Sequence, residues 1–147
     1  MGSTFCSLHY HVVFSTKERR PFIQPLWRPA LHAYLGGTIR GLGAAVEAIG
    51  GVADHVHLLL SLKTTEAPAA MVRELKKASS VWAAENHDRF FSWQEGYSVF
   101  SVSRTHCPRL RQYIANQEEH HRQVPFMEEL KKLLIKNGVT YDPNYPL

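Results

Sequence analysis

Two stretches of this 147-residue chain carry histidines at a spacing suited to binding one metal ion. In Asp54-His55-Val56-His57-Leu58-Leu59-Leu60 the composition is that of a strand. Side chains alternate across a strand with period two, so His55 and His57 emerge on one face and Val56, Leu58, Leu60 and Leu62 on the other. Two imidazoles on the same side of a rigid strand can share a divalent cation. A second pair, His9 and His11, sits in the earlier stretch Leu8 to Phe14, with Leu8, Tyr10, Val12 and Phe14 on the opposite face. Spacing does not choose between the pairs. A His-x-His in a half-buried strand is more often two satisfied polar side chains, so a metal site needs a third ligand and a reacting group from elsewhere.

A further set of polar groups lies in Leu110-Arg111-Gln112-Tyr113-Ile114-Ala115-Asn116-Gln117. Tyr113 and Gln117 are four apart, hence about one turn apart on a helical face shared with Leu110 and Ile114. A helical Tyr is usually core and a Gln usually surface. A phenol and an amide on one stripe, turned toward a face bearing imidazoles, is less ordinary.

The elements that must position these groups follow from periodicity. The pattern predicts a strand over 8–14, a helix over 25–42 with Trp27, Leu31 and Leu35 on its apolar stripe, and a strand over 45–49. Gly50-Gly51 lets the chain reverse into the His55 strand. A second helix is predicted from Thr65 to about Glu85, with Met71, Leu75, Ala78 and Trp82 buried. Phe90 to Trp93 and Tyr97 to Val102 read as two more strands. A third helix follows from Pro108 to about Gln123, ended by Pro125, and a fourth with Phe126, Leu130, Leu133 and Leu134 inward. This order fits an α+β fold: a ferredoxin-like antiparallel sheet with helices packed on one face and a C-terminal tyrosine-bearing helix.

An apolar fraction of 44% and a charged fraction of 20% are those of a globular protein, and the length suits one domain over 1–147. Two cysteines, Cys6 and Cys107, are too few for a disulfide framework or a cysteine zinc site. No apolar run reaches the length of a membrane span, and no signal-peptide pattern opens the chain, so a cytoplasmic protein with no membrane partner is expected. The net charge of +4 permits a polyanionic partner without requiring one. Lys17, Arg19 and Arg20 form either a phosphate-gripping loop or a solvated cluster. Arg73, Lys76 and Lys77 give the second helix a basic edge, solvated by default and phosphate-binding on the sharper reading.

The fragments HYHVVFSTKERRPF, DHVHLLL, WQEGYSVFSVS, YIANQEEHH and NGVTYDPNY, in this order, resemble the single-tyrosine HUH transposases of the insertion-sequence 200/605 group, to which REP-associated tyrosine transposases are a related branch. The resemblance implies that His55 and His57 are the paired metal ligands, that Gln117 is the third, and that Tyr113 is the nucleophile. The implied cofactor is Mg²⁺ or Mn²⁺, which polarises the scissile phosphate. Attack by Tyr113 would leave a 5′-phosphotyrosine and a free 3′-hydroxyl, and a second 3′-end could reverse the step without ATP. A phenol of ordinary pKa about 10 costs ~4 kcal/mol to ionise at pH 7, from roughly three units at 1.36 kcal/mol each. The metal, water or a cation such as Arg111 must reduce that.

The implied substrate is single-stranded DNA with hairpin ends. Lys17, Arg19, Arg20, Arg73, Lys76, Lys77 and Arg111 are the candidate backbone contacts. His120 and His121 return near the Tyr113 face and read as DNA or structural contacts rather than ligands. Family members are homodimers in which the tyrosine helix can complete the partner's site; sequence leaves cis or trans use of Tyr113 open. Two rivals stand beside this reading: a non-catalytic or domesticated hairpin-binding protein on the same fold, and a metal hydrolase that uses water.

Overall fold

The structure, a computed structural model, describes residues 2–142. Its centre is a four-stranded antiparallel sheet in the order β2-β3-β1-β4, formed by β1 (His9–Ser15), β2 (Ala45–Gly51), β3 (His55–Ser61) and β4 (Ser98–Val102). Helices α1 (Arg28–Gly41) and α2 (Pro68–Asn86) follow β1 and β3 respectively. The C-terminal part is α3 (Cys107–Ala115), α4 (Gln117–His121) and α5 (Phe126–Lys136).

Alternation along the two central strands divides the molecule into layers. Val12 and Phe14 of β1 join Val56, Leu58 and Leu60 of β3 in the main core, which α1 closes with Leu31, Leu35 and Ile39 and α2 with Met71, Val72 and Leu75. This is the helix-covered face expected from the sequence. The opposite face presents His11 and Val13 of β1 and His55, His57 and Leu59 of β3. Here α5 packs Phe126, Leu130 and Leu134 against Val13 and Phe100, while α3 packs Cys107 and Ile114 against Leu59.

Several elements differ from expectation. Residues 90–93 are not a strand. Both edges of β1 are taken by β3 and β4, so this segment pairs only where β1 has ended, in a single bridge between Thr16 and Trp93. Phe91 and Trp93 are buried against Phe14 and Trp27 instead. The second helix begins at Pro68, and its buried stripe runs through Ser79 and Ala83 rather than Ala78 and Trp82. Ser79 is satisfied there, its hydroxyl donating to the Leu75 carbonyl at 2.6 Å and accepting the Trp93 indole N–H at 2.9 Å. The third predicted helix is broken at Asn116 into α3 and α4.

One glycine fixes how closely the tyrosine-bearing helix approaches the sheet. A Cβ at Gly50 would lie 2.1 Å from the backbone oxygen of Ile114, a distance no side chain tolerates. Gly50 therefore lets α3 rest directly on β2. Closing residues Pro143 to Tyr145 of the resembling fragments lie outside the described residues.

Candidate active site

The two central strands, α3, α4 and α5 converge on one carboxylate, that of Glu129. Its Oε1 lies 3.0 Å from His57 Nε2, 3.0 Å from His121 Nε2 and 3.4 Å from His55 Nε2. Its Oε2 accepts the hydroxyl of Tyr113 and, at 3.2 Å, the amide N–H of Gln117. His120 Nε2 is 3.3 Å from the same oxygen. The Gln117 amide oxygen faces inward, 3.0 Å from His55 Nε2. His55, His57, Gln117 and Glu129 are all buried, and Phe126 stacks on the His55 ring with centroids 4.4 Å apart.

Each imidazole is oriented from behind. His55 Nδ1–H donates to Asp54 at 2.7 Å, and His121 Nδ1–H donates to the Val124 carbonyl at 2.5 Å. With its proton committed to Asp54, His55 Nε2 aims a lone pair at the oxygens of Gln117 and Glu129. Facing lone pairs at about 3 Å repel unless a cation lies between them. The donor set therefore fits a divalent metal: His55, His57, His121 and Glu129 bring one ligand atom each within 4.8 Å of the others, and the Gln117 oxygen adjoins them. His57 is backed by His11, whose Nε2 is 2.8 Å from His57 Nδ1. Outer partners of this kind fix the tautomer and direction of a ligating imidazole.

Electrostatics follow from burial and this shared carboxylate. Burial holds His57 down to about 4 despite Glu129, and burial plus the neighbouring His57 hold His11 down to about 3, so both rings are neutral at pH 7. Burial would also lower His121, but its hydrogen bond to Glu129 turns the net shift upward. Burial opposes the charge on Glu129, yet bonds from His121, His57 and Tyr113 outweigh it and keep the carboxyl well below its usual range. For Tyr113, burial and then the Glu129 carboxylate push the phenol above its ordinary value, while Gln117 opposes them.

The structure thus brings Tyr113, His55, His57 and Gln117 together, and both His-x-His pairs contribute to the same face. His11 adjoins His57, whereas His9 turns to Glu47, 3.5 Å away. His120 and His121 also reach the cluster, and His121 stands among the possible ligands rather than apart from them. Arg111 lies 3.4 Å from Glu47 instead of beside the phenol. Lys76 donates to the carbonyls of Gln94 at 2.6 Å and Gly96 at 2.8 Å, an anchor for that turn rather than an open cation. Arg73 and Lys77 are exposed on α2, across the sheet from the imidazoles. Lys17, Arg19 and Arg20 lie in an exposed turn after β1, where Arg20 pairs with Glu18 at 2.9 Å. A cleft beside Tyr113 is lined by Arg109, Gln112, Asn116 and His120.

Sequence reasoning missed Glu129. It occupies the i+3 position from Phe126 and i−4 from Leu133, within the apolar stripe of α5. An acid on the buried face of an amphipathic helix was the available signal.

No curated protein matches the sequence. Among solved structures, a protein described as a transposase from Deinococcus radiodurans R1 superposes with a TM-score of 0.65 at 26% identity, over 80% of this chain and 96% of its own. A REP-associated tyrosine transposase bound to a REP hairpin superposes with a TM-score of 0.62, over 100% of this chain and 90% of that one, but at 14% identity its likeness speaks for the fold alone. The family described as "Transposase IS200 like" matches residues 4–117, a span that includes His55, His57, Tyr113 and Gln117. With most of its length inside that match, this chain belongs to the IS200-like transposase family.

Proposed function

We propose that this transposase cleaves and rejoins single-stranded DNA through a covalent bond between Tyr113 and a 5′-phosphate. The observation that carries the reading is the Glu129 carboxylate, which accepts the Tyr113 hydroxyl on one oxygen and meets three imidazole nitrogens with the other. A nucleophile and a proton acceptor in direct contact, beside a donor set for a cation, are what phosphodiester cleavage requires.

His55, His57, Gln117, His121 and Glu129 would hold the metal. Once bound, it supplies Lewis-acid stabilisation of charge on the scissile phosphate. Imidazole-rich donors favour Mn²⁺ over Mg²⁺, which prefers oxygen ligands and water. Glu129 takes the phenol proton as Tyr113 Oη bonds to phosphorus. The phosphorus–3′-oxygen bond breaks, and the 3′-oxygen leaves as a hydroxyl with a proton relayed through water, which protonated Glu129 replenishes. The phosphodiester energy is kept in the phosphotyrosine, so an incoming 3′-hydroxyl can reverse the step and join strands. Gln117 ties α4 to this site by donating to Glu129 and turning its amide oxygen toward His55.

The Tyr113 ring packs edge-on against His57 of its own chain, centroids 5.7 Å apart, which supports use of the phenol in cis. A homodimer of the kind expected from the resemblance would pair two such sites. DNA with hairpin ends is the substrate inferred from family membership and from the hairpin held by the REP-associated relative. Its strand would enter along Arg109, Gln112 and Asn116, with Lys17, Arg19 and Arg20 as further backbone contacts. Arg73 and Lys77 would serve only a duplex stem wrapping to the α2 side.

A labelled hairpin oligonucleotide incubated with protein and Mn²⁺, then run on a denaturing gel, tests this. A protein-linked DNA band is expected. Released fragments without linkage would indicate the water-using hydrolase, and intact DNA the non-catalytic binding protein.

A further inference from the structure

We propose that His9, Glu47 and Cys107 form a second metal site, for a zinc-class divalent ion, which clamps the start of the tyrosine helix to the sheet. These three residues come from β1, β2 and the first position of α3, and their ligand atoms all lie within 4.8 Å of one another. None belongs to the cluster around Glu129.

Two observations point to an ion rather than to chance proximity. His9 is only 8% exposed, yet its buried Nδ1 has no hydrogen-bond partner, and the buried Glu47 Oε2 also has none. The two atoms lie 3.5 Å apart, an ion-pair distance without hydrogen-bond alignment, and the Cys107 sulfur lies within 4.8 Å of both. Unpaired buried polar atoms are costly, and a shared cation would satisfy them together. The spacing also suits the ion: Zn–N and Zn–O bonds of about 2.0–2.2 Å at a tetrahedral angle place ligand atoms about 3.4 Å apart.

The donor types select the metal class. A thiolate, an imidazole and a carboxylate suit zinc, whereas Mg²⁺ disfavours sulfur. The other carboxylate oxygen, Glu47 Oε1, is held by Arg111 at 3.4 Å and Arg104 at 3.7 Å, which turns Oε2 inward. Cys107 is buried, with its sulfur 3.6 Å from the Ser103 carbonyl. Thiolate and carboxylate together match the ion's charge, and binding releases the thiol proton. Three protein ligands leave a fourth position for water.

The site is separable from catalysis in space but coupled to it in structure. Cys107 opens the helix that carries Tyr113 six residues later, about 9 Å along the axis. An ion bonded to Cys107, His9 and Glu47 would fix that helix to β1 and β2 independently of any metal at Glu129.

Co²⁺ titration of the chelator-treated full-length protein tests the proposal. A thiolate-to-cobalt charge-transfer band in the near ultraviolet is expected, bleached by Zn²⁺ and not by equimolar Mg²⁺. The band should persist in Cys6→Ser and in His57→Ala, and disappear in Cys107→Ser. His9→Ala should weaken Co²⁺ binding by at least about tenfold, the smallest loss usual for removing even a supporting partner of a metal ligand. Far-ultraviolet circular dichroism checks that the variants fold. Absence of the band in the unaltered protein, its survival in Cys107→Ser, or its loss in His57→Ala would each overturn the proposal. Because His57→Ala disables only the Glu129 cluster, failure here is distinguishable from failure of the transposase reading.

Discussion

Tyr113 holds its proton more tightly than a free tyrosine does, since burial and then the Glu129 carboxylate raise the phenol above its ordinary value. On the proposed mechanism, the same carboxylate that resists a phenolate charge would accept the phenol proton during attack. Glu129→Gln keeps the shape and removes the base. Cleavage is expected to slow by about 10²–10⁴-fold, the usual contribution of a positioned general base, with DNA binding retained. Single-turnover kinetics at saturating Mn²⁺ read this; an unchanged rate would take Glu129 out of the chemistry. His11 acts one layer behind, through His57. His11→Ala should weaken Mn²⁺ binding about 10–100-fold, as loss of an outer partner commonly does, measured by calorimetric titration against the unaltered protein.

Among elements, the strand pair and the three C-terminal helices share the work of positioning. β3 supplies rigid alternation, so His55 and His57 must share a face. The approach of α3 is set by Gly50. Gly50→Ala would drive a methyl carbon into the Ile114 carbonyl, so α3 must lift and carry Tyr113 away from Glu129. The expected outcome is loss of covalent product with a sheet and helix content still native by circular dichroism. Full activity would mean that α3 does not depend on this contact.

The element scale also separates what was legible in the sequence from what was not. Period-two alternation in 55–61 revealed the split between imidazoles and the Val56-Leu58-Leu60 core face, and four-residue spacing placed Gln117 beside Tyr113. Both rest on geometry internal to one segment. Glu129 escaped notice because its meaning depends on β3 lying across from α5, a long-range packing fact that no local pattern carries. The 90–93 segment was misread for the same reason: its aromatic composition suits a strand, but β1 had no free edge to offer it. Choosing between the His9 and His11 pairing and that of His55 and His57 was likewise not local, since antiparallel pairing of β1 with β3 puts both pairs on one face.

For the molecule as a whole, buried neutral histidines tie stability to pH. Burial lowers His11 to about 3, with the neighbouring His57 adding to it; burial lowers His32 to about 4, with Arg28 adding to it; and burial lowers His57 to about 4 against the pull of Glu129. Below about pH 6.5 the unfolded chain takes up protons that these folded sites refuse. Stability is therefore complete above that value and drains as pH falls toward about 4. Denaturant unfolding between pH 7 and 4.5, with chelator present, should give a steadily falling midpoint, and His32→Gln should make the decline shallower. A midpoint independent of pH in this window would contradict the burial of these rings in neutral form.

The covalent linkage itself offers the most direct test at this scale. Protein reacted with a hairpin oligonucleotide and Mn²⁺ is digested with nuclease and protease, and the peptides are weighed by mass spectrometry. A nucleotide joined through its 5′-phosphate to the peptide containing Tyr113, and absent from Tyr113→Phe, is the predicted result. DNA attached to any other residue, or an adduct that survives in Tyr113→Phe, would contradict the account.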